Sequence, residues 1–265
     1  MKLFRQLFSL SKRQKLVIAT LFLTLSLLAA EIFSGIHHIL VGLILSLLTV
    51  AVLYGILRRD IANSFYYPLL ILPFFYTLSV SIFYLLIPSR LLSVIILTAF
   101  YSFGLYSLFL TQNIFAVSSG KTINLLRSAR IVSFVITILV HFLLVNIIFS
   151  LRLPFFVTPL LITGIVILLN IQSLWVYILD RSMIKEVLRY SILIGLLIGE
   201  LALVLVIWPI DAAIYAIFLT GIFYTYSGLS HAWFEKRLFK GVLWEYVWVG
   251  FLSVFLLLIF AKWGI

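Results

Sequence analysis

Glu200 is the single charged residue in the apolar stretch SILIGLLIGELALVLVIW, which covers residues 191–208. If this stretch crosses a membrane, the carboxylate lies near the bilayer midplane, where it costs roughly 2.5 to 3.5 kcal/mol on insertion scales. Ionisable residues kept at such a cost mark proton or ion pathways, or hold helices together through hydrogen bonds. Glu200 is therefore our first candidate for a binding or proton-relay residue.

Histidine supplies the second candidate group, because an imidazole can accept and release a proton near neutral pH. His141 ends a series of polar residues that recur every three or four positions and so share one helix face. This first polar stripe consists of Arg130, Ser133, Thr137 and His141. A second polar stripe with the same spacing consists of Thr220, Tyr224, Ser227 and His231. Serine and threonine in membrane helices also bond to their own backbone, so helix packing is the alternative interpretation of both stripes.

Gly195 and Gly199, four residues apart, predict a close contact between the helix that carries Glu200 and a neighbouring helix. Glu200 follows Gly199 by about 100° around the helix, so we expect its side chain to point into the bundle rather than toward lipid. Glu200 and His141 then lie at similar depth. We predict one polar notch, open to the cytoplasm and lined by Glu200 and the two polar stripes.

The remaining polar residues predict no metal site and no cofactor. The eight acidic residues form no paired-aspartate motif, cysteine is absent, and the four histidines could form a metal site only through the three-dimensional fold. No His-Glu-x-x-His or Gly-x-Ser-x-Gly motif occurs, which favours a non-enzymatic function. The weaker site candidates are Glu31, His37, His38, Asn170 and Gln172.

Composition indicates a membrane protein. Of the 265 residues, 65% are hydrophobic and 10% are charged, whereas charged residues make up about 25% of a soluble domain. Apolar runs of about 20 residues are long enough to cross a bilayer as α-helices. We predict an all-α, polytopic helical membrane bundle that forms one integral membrane domain. Its nine predicted spans cover residues 16–34, 37–57, 65–87, 91–115, 131–151, 155–178, 191–208, 212–230 and 243–262.

The basic residues predict how these spans are oriented. With the N-terminus in the cytoplasm, only Arg90, Arg152 and Lys262 of the 19 lysines and arginines lie outside. Basic residues in short loops resist translocation, so we expect a cytoplasmic N-terminus and an outer C-terminus. Residues 1–15 mix apolar and basic side chains, as expected of a cytoplasmic segment on the membrane surface. The net charge of +11 predicts contact with anionic inner-leaflet lipids and not with nucleic acid.

Three functions fit these features. The leading hypothesis is a transporter- or permease-like protein of the plasma membrane, by its composition a bacterial inner membrane, that binds a small molecule or lipid. Glu200 would exchange a proton and His141 would relay it, so Glu200→Gln should abolish pH-dependent transport. The first alternative is a non-catalytic subunit or scaffold with a membrane partner or as a homo-oligomer. The second is an intramembrane enzyme on a lipid or isoprenoid substrate, with Glu200 and His141 as acid and base.

Overall fold

The structure is a computed structural model that describes residues 11–33, 38–61, 67–87, 91–118, 125–179 and 181–261. Helices dominate these ranges, and no strand occurs within them. Nine helices in the described ranges are long and apolar enough to cross a membrane. The prediction of an all-α polytopic bundle is thereby confirmed, and the chain is a multi-pass membrane protein.

The nine helices are numbered in chain order. They are α1 Lys12–Phe33, α2 His38–Ile61, α3 Ile71–Phe83, α4 Leu91–Ser118, α5 Leu126–Ser150, α6 Val157–Ile178, α7 Ile184–Val206, α8 Ala212–Phe234 and α9 Lys240–Phe260. Short 3₁₀ turns flank two of them. Tyr67–Leu70 and Tyr84–Leu86 extend α3 to the 20-residue candidate span Tyr67–Leu86, and Arg181–Met183 precedes α7.

The largest difference from the predicted spans is at α7, which begins seven residues before residue 191. Lys185, Glu186 and Arg189 occupy these first turns. Long unbranched side chains favour helix, so the helix continues into the polar interface although hydropathy ends the span later. At the N-terminus, α1 begins at Lys12, inside the predicted surface segment, and residues 1–10 lie outside the described residues.

The described residues belong to two compact units, one within Met1–Ile136 and one within Thr137–Ile265. In the first unit, α3 is the most buried helix and packs against α2 and α4, while α1 packs against α2 and α4. In the second unit, α7 packs closely on α6, and α8 contacts α6, α7 and α9. Helix α5 crosses the boundary at Ile136 and contributes Thr137 onward to the second unit.

Hydroxyl groups bind α2, α3 and α4 together inside the first unit. The Tyr76 hydroxyl donates to the carbonyl oxygens of Phe100 at 3.1 Å and Tyr101 at 3.2 Å. Thr77 Oγ1 lies 3.1 Å from Thr49 Oγ1 and 3.2 Å from the Tyr101 hydroxyl. We call Thr49, Tyr76, Thr77 and Tyr101 the hydroxyl network. Its members are buried, and each hydroxyl has a partner.

Candidate functional site

Helices α6 and α8 face each other through pairs of polar side chains in the second unit. Ser227 Oγ on α8 donates to Asn170 Oδ1 on α6 at 3.0 Å. Ser173 Oγ lies 3.0 Å from His231 Nε2. The His231 ring also stacks on Tyr177, with ring centroids 4.0 Å apart. Because α6 supplies three of these residues at positions i, i+3 and i+7, one face of α6 follows one face of α8.

Helix α5 adds His141 to this arrangement. His141 Nδ1 lies 2.9 Å from Thr220 Oγ1 on α8, and its ring stacks on Phe223 with centroids 4.5 Å apart. The side chain of His141 is fully buried, and neither its Nε2 nor Asn170 Nδ2 has a hydrogen-bond partner in the described part of the chain. Such buried polar atoms are uncommon and call for an explanation, because each unmade hydrogen bond costs free energy.

We call six of these residues the polar track: His141, Asn170, Ser173, Thr220, Ser227 and His231. From Thr220 to His231 the track follows α8 for roughly 16 Å at 1.5 Å per residue. This length is about half of a bilayer's hydrocarbon core of roughly 30 Å. The track therefore extends from near the C-terminal end of α8 to its middle.

A cavity of about 540 Å³ lies at the other end of the second unit. Arg152, Asp211 and Trp208 contribute to its lining, and so does Phe149. Phe149 stacks on the buried Tyr215, with ring centroids 4.1 Å apart, and the Tyr215 hydroxyl donates to the Ala202 carbonyl at 3.1 Å. Tyr215 precedes Thr220 by about 7.5 Å along α8. Along the axis of α8, the two rings, which we call the aromatic pair, therefore lie at a level between the cavity and the polar track.

The prediction that the Glu200 side chain points into the bundle is wrong, because this side chain is exposed on the surface of α7. No described residue forms a hydrogen bond or an ion pair with it, so the structure does not pair it with His141. The buried face of α7 includes Ile198 and Ala202, each two residues from Glu200 and thus on the opposite side. The predicted notch lined by α5, α7 and α8 is replaced by a track on α5, α6 and α8.

Gly195 and Gly199 lie at the contact between α6 and α7. A Cβ atom on Gly199 would overlap Thr163, and one on Gly195 would overlap Ile167. The two glycines therefore let the helix backbones approach closely. This close contact covers one side of α7 and leaves Glu200 about 100° away from Gly199, outside the contact.

The other predicted site residues differ in their environments. Thr137 is buried in the second unit, whereas Arg130 is half-buried on the part of α5 that belongs to the first unit. Tyr224 is also half-buried and lies against Tyr246 of α9, with ring centroids 5.3 Å apart. The first polar stripe therefore contributes His141 to the polar track, and the second contributes Thr220, Ser227 and His231.

Sequence reasoning missed Ser173, Tyr177 and the aromatic pair. The spacing of Asn170, Ser173 and Tyr177 is a helical stripe like the two that were recognised, so it was a usable signal. Nothing in the sequence pairs Phe149 with Tyr215, because aromatic residues are common throughout the chain.

A second polar cluster lies in the first unit. Glu31 Oε2 is 3.6 Å from His38 Nδ1, and both line a cavity of about 320 Å³ together with Tyr84. The Tyr84 hydroxyl is 2.7 Å from Thr98 Oγ1. His37, also a weaker candidate, lies outside the described residues. Within the described ranges, no three histidine, aspartate or glutamate side chains come close enough to hold a metal ion.

The fold and the polar interior define a polytopic helical membrane protein with buried histidines. Residues 23–260 match the sequence profile of a family described as "Protein of unknown function (DUF5656)". The match covers most of the chain, so the protein belongs to this family. No curated protein and no solved structure matches the chain.

Proposed function

We propose that the protein is a transporter-like permease that moves protons, alone or with a small polar solute, through its second unit. The observation that carries the proposal is the polar track, a buried row of three hydrogen-bonded pairs that contains two histidines. Buried ionisable residues in membrane helices are costly, and they occur preferentially along ion and proton pathways.

Histidine suits this role because one ring nitrogen can accept a proton while the other releases one. His141 has its Nδ1 beside Thr220, and its Nε2 has no hydrogen-bond partner among the described residues. The Nε2 atom and the amide nitrogen of Asn170 can therefore bind water or a solute without breaking an existing bond. His231, near the C-terminal end of α8, provides the second titratable group.

The aromatic pair supplies a closed gate in this proposal. Phe149 lines the cavity and stacks on Tyr215, so apolar ring surface occupies the level of α8 between the cavity and the polar track, where a proton chain needs hydrogen-bonding groups. Separation of the two rings would connect the cavity to Thr220 and His141. The rings and the track then correspond to the closed barrier and the binding region of an alternating-access transporter.

The proposed setting is the plasma membrane, such as a bacterial inner membrane, with the N-terminus in the cytoplasm. Its support is the excess of lysine and arginine in alternate connections, which also favours contact with anionic inner-leaflet lipids. In this orientation His231 lies toward the cytoplasm. The cavity with Arg152 and Asp211 then opens to the outside, where a small polar solute would enter.

Proton flux into proteoliposomes tests the proposal. The wild type is reconstituted with an internal pH dye, and a potassium diffusion potential drives proton entry. We expect His141→Gln to abolish the flux, because an amide can hydrogen-bond to Thr220 but cannot pass on a proton. The matched control is Glu200→Gln, which changes a titratable residue outside the track and should leave the flux unchanged. Equal flux in wild type and His141→Gln, or loss of flux in Glu200→Gln, would contradict the proposal.

The gate is tested in the same assay with Phe149→Ala. Removal of the ring opens a polar connection between the cavity and the track, so proton entry should rise above that of the wild type. Phe155→Ala is the control, because Phe155 is exposed and packs against Phe156 rather than Tyr215. A lower flux in Phe149→Ala than in Phe155→Ala would show that the aromatic pair is not a barrier.

A further inference from the structure

A cavity of about 320 Å³ in the first unit contains a carboxylate that lacks a hydrogen bond. Its polar lining consists of Glu31, His38, Tyr84 and Ser93. The Glu31 side chain is 10% exposed and forms no hydrogen bond within the described part of the chain. His38 Nδ1 lies 3.6 Å from Glu31 Oε2, beyond the usual hydrogen-bond length of about 2.7 to 3.2 Å. Burial of an ionised carboxylate is costly unless a partner bonds to it, so a cation bound in this cavity would stabilise the site.

The cavity lies where consecutive membrane spans of the first unit are connected. Glu31 is the last residue of the first candidate span, and His38 is the first residue of the second. Tyr84 lies near the end of the third candidate span, and Ser93 lies near the start of the fourth. The ends of spans lie at the level of the lipid headgroups. Both dissolved molecules and lipid headgroups can therefore reach the cavity.

The charge of the cavity favours a cation with a single positive charge. Glu31 is the one carboxylate among the described residues of its lining, and one carboxylate balances one positive charge. Metal sites in proteins are typically built from several histidine, aspartate or glutamate side chains. No three such side chains come together within the described ranges, so these residues do not favour a divalent metal ion.

The hydrogen-bonding groups of the cavity match an ammonium group. A primary ammonium group has three N–H donors and no acceptor. Glu31 supplies carboxylate oxygens as acceptors, and Tyr84 and Ser93 supply hydroxyl oxygens. The Tyr84 hydroxyl lies 2.7 Å from Thr98 Oγ1, and whichever of the two donates, the Tyr84 oxygen keeps an acceptor site. The polar lining therefore offers acceptors from three side chains.

We propose that this cavity binds a primary ammonium group, with the nitrogen beside Glu31. The carbon atoms attached to the nitrogen contact the apolar part of the lining, Leu85, Ile87 and Val94. Ligand pockets measure about 300 to 1,000 Å³, so a cavity of about 320 Å³ takes a small amine or a single lipid headgroup. The same chemistry is present in dissolved amines and in phosphatidylethanolamine. A quaternary ammonium group has no N–H and cannot donate to the carboxylate.

Thermal unfolding of the purified protein in detergent tests this site, because a ligand that binds the folded state raises the Tm. Ethanolamine is compared with choline, and phosphatidylethanolamine with phosphatidylcholine of the same acyl chains. The two members of each pair differ only in the methyl groups on nitrogen. We expect the Tm to rise with the primary amine and to stay unchanged with its quaternary counterpart. This comparison uses the wild type alone, so it does not depend on the folding of a variant.

The two pairs also distinguish the sources of the ammonium group. A rise in Tm with ethanolamine supports the proposal and assigns the site to a dissolved amine. A rise with phosphatidylethanolamine alone supports it and assigns the site to a lipid headgroup. Equal Tm values within both pairs would overturn the proposal, whether all four compounds stabilise the protein or none does.

Substitution of Glu31 then tests the position of the nitrogen. Glu31→Gln keeps the size of the side chain and removes its charge, so half of the maximal shift in Tm should require at least about tenfold more primary amine. Asp60→Asn is the matched control, because Asp60 is an acid of the same unit that pairs with Lys12 outside the cavity. It should respond like the wild type. An unchanged response in Glu31→Gln, or a response lost equally in Asp60→Asn, would overturn the proposal. None of these outcomes depends on proton transport.

Discussion

The two units bury polar side chains of different chemistry. The hydroxyl network of the first unit consists of threonine and tyrosine, whose hydroxyls bond to one another or to backbone carbonyls. The polar track of the second unit contains imidazole and amide groups, and His141 and Asn170 each have a nitrogen without a partner in the described residues. A satisfied network of neutral hydroxyls stabilises packing, whereas a titratable and incompletely bonded one can change its protonation and partners.

Unbonded atoms alone do not distinguish the two units. Gln112 in the first unit is fully buried, and neither of its amide atoms has a partner among the described residues. The distinguishing feature is that the second unit buries two histidines, His141 on α5 and His231 on α8. The comparison therefore predicts that disruption of the hydroxyl network lowers stability without changing flux, and that disruption of the polar track changes flux.

The largest effect on stability is expected from Gly104→Ala in the first unit. A Cβ atom at this position would overlap the Tyr76 hydroxyl, so the tyrosine must move and give up its bonds to α4. Overpacking of this kind costs about 1 to 3 kcal/mol. The measurement is the unfolding free energy in detergent, together with the proton flux per folded molecule, which should not change.

The matched control for this substitution is Gly55→Ala. Gly55 is an exposed helical glycine with no atom within 4 Å of an added Cβ. Replacement by alanine should raise stability by about 0.5 to 1 kcal/mol, because alanine loses less entropy in a helix. If both variants were equally stable, the close packing of Tyr76 on α4 would be excluded as a source of stability.

An intermediate effect is expected from Ser227→Ala in the polar track. The change removes the donor to Asn170 Oδ1, which should cost about 0.6 to 1.7 kcal/mol and also lower the proton flux. Ser230→Ala is the control on the same helix, because the Ser230 hydroxyl bonds back to the Tyr226 carbonyl at 2.8 Å. Thermal unfolding and flux are measured for both. A flux equal to that of Ser230→Ala would remove Ser227 from the pathway.

The smallest effect is expected from Asp60→Asn at the ends of α1 and α2. Lys12 Nζ lies 2.7 Å from Asp60 Oδ1, and the lysine side chain is 49% exposed. Exposed ion pairs contribute about 0.2 to 1 kcal/mol, and salt screens them. Unfolding at low and high salt should show a small loss of stability that disappears at high salt. A loss that is independent of salt would indicate a packing role for Asp60.

Much of the fold could be predicted from the sequence, but less of the candidate site. The nine spans follow from apolar runs of about 20 residues, which only helices can carry across a bilayer. The stripe that ends at His231 was recognised because its spacing is a local property of one helix. The partners of these residues were not recognised, because the bond from Ser173 to His231 joins positions far apart in the chain.

The sequence by itself determined that this is a membrane protein, how many helices can span the bilayer, and which residues share a helix face. Only the tertiary structure decided that Glu200 is exposed and that α6, rather than α7, completes the polar track. The physical reason is that lipid is as apolar as a protein interior, so hydrophobicity does not distinguish the two sides of a membrane helix. The inward side is selected by close packing at small residues such as Gly195 and Gly199, and by hydrogen bonds between helices.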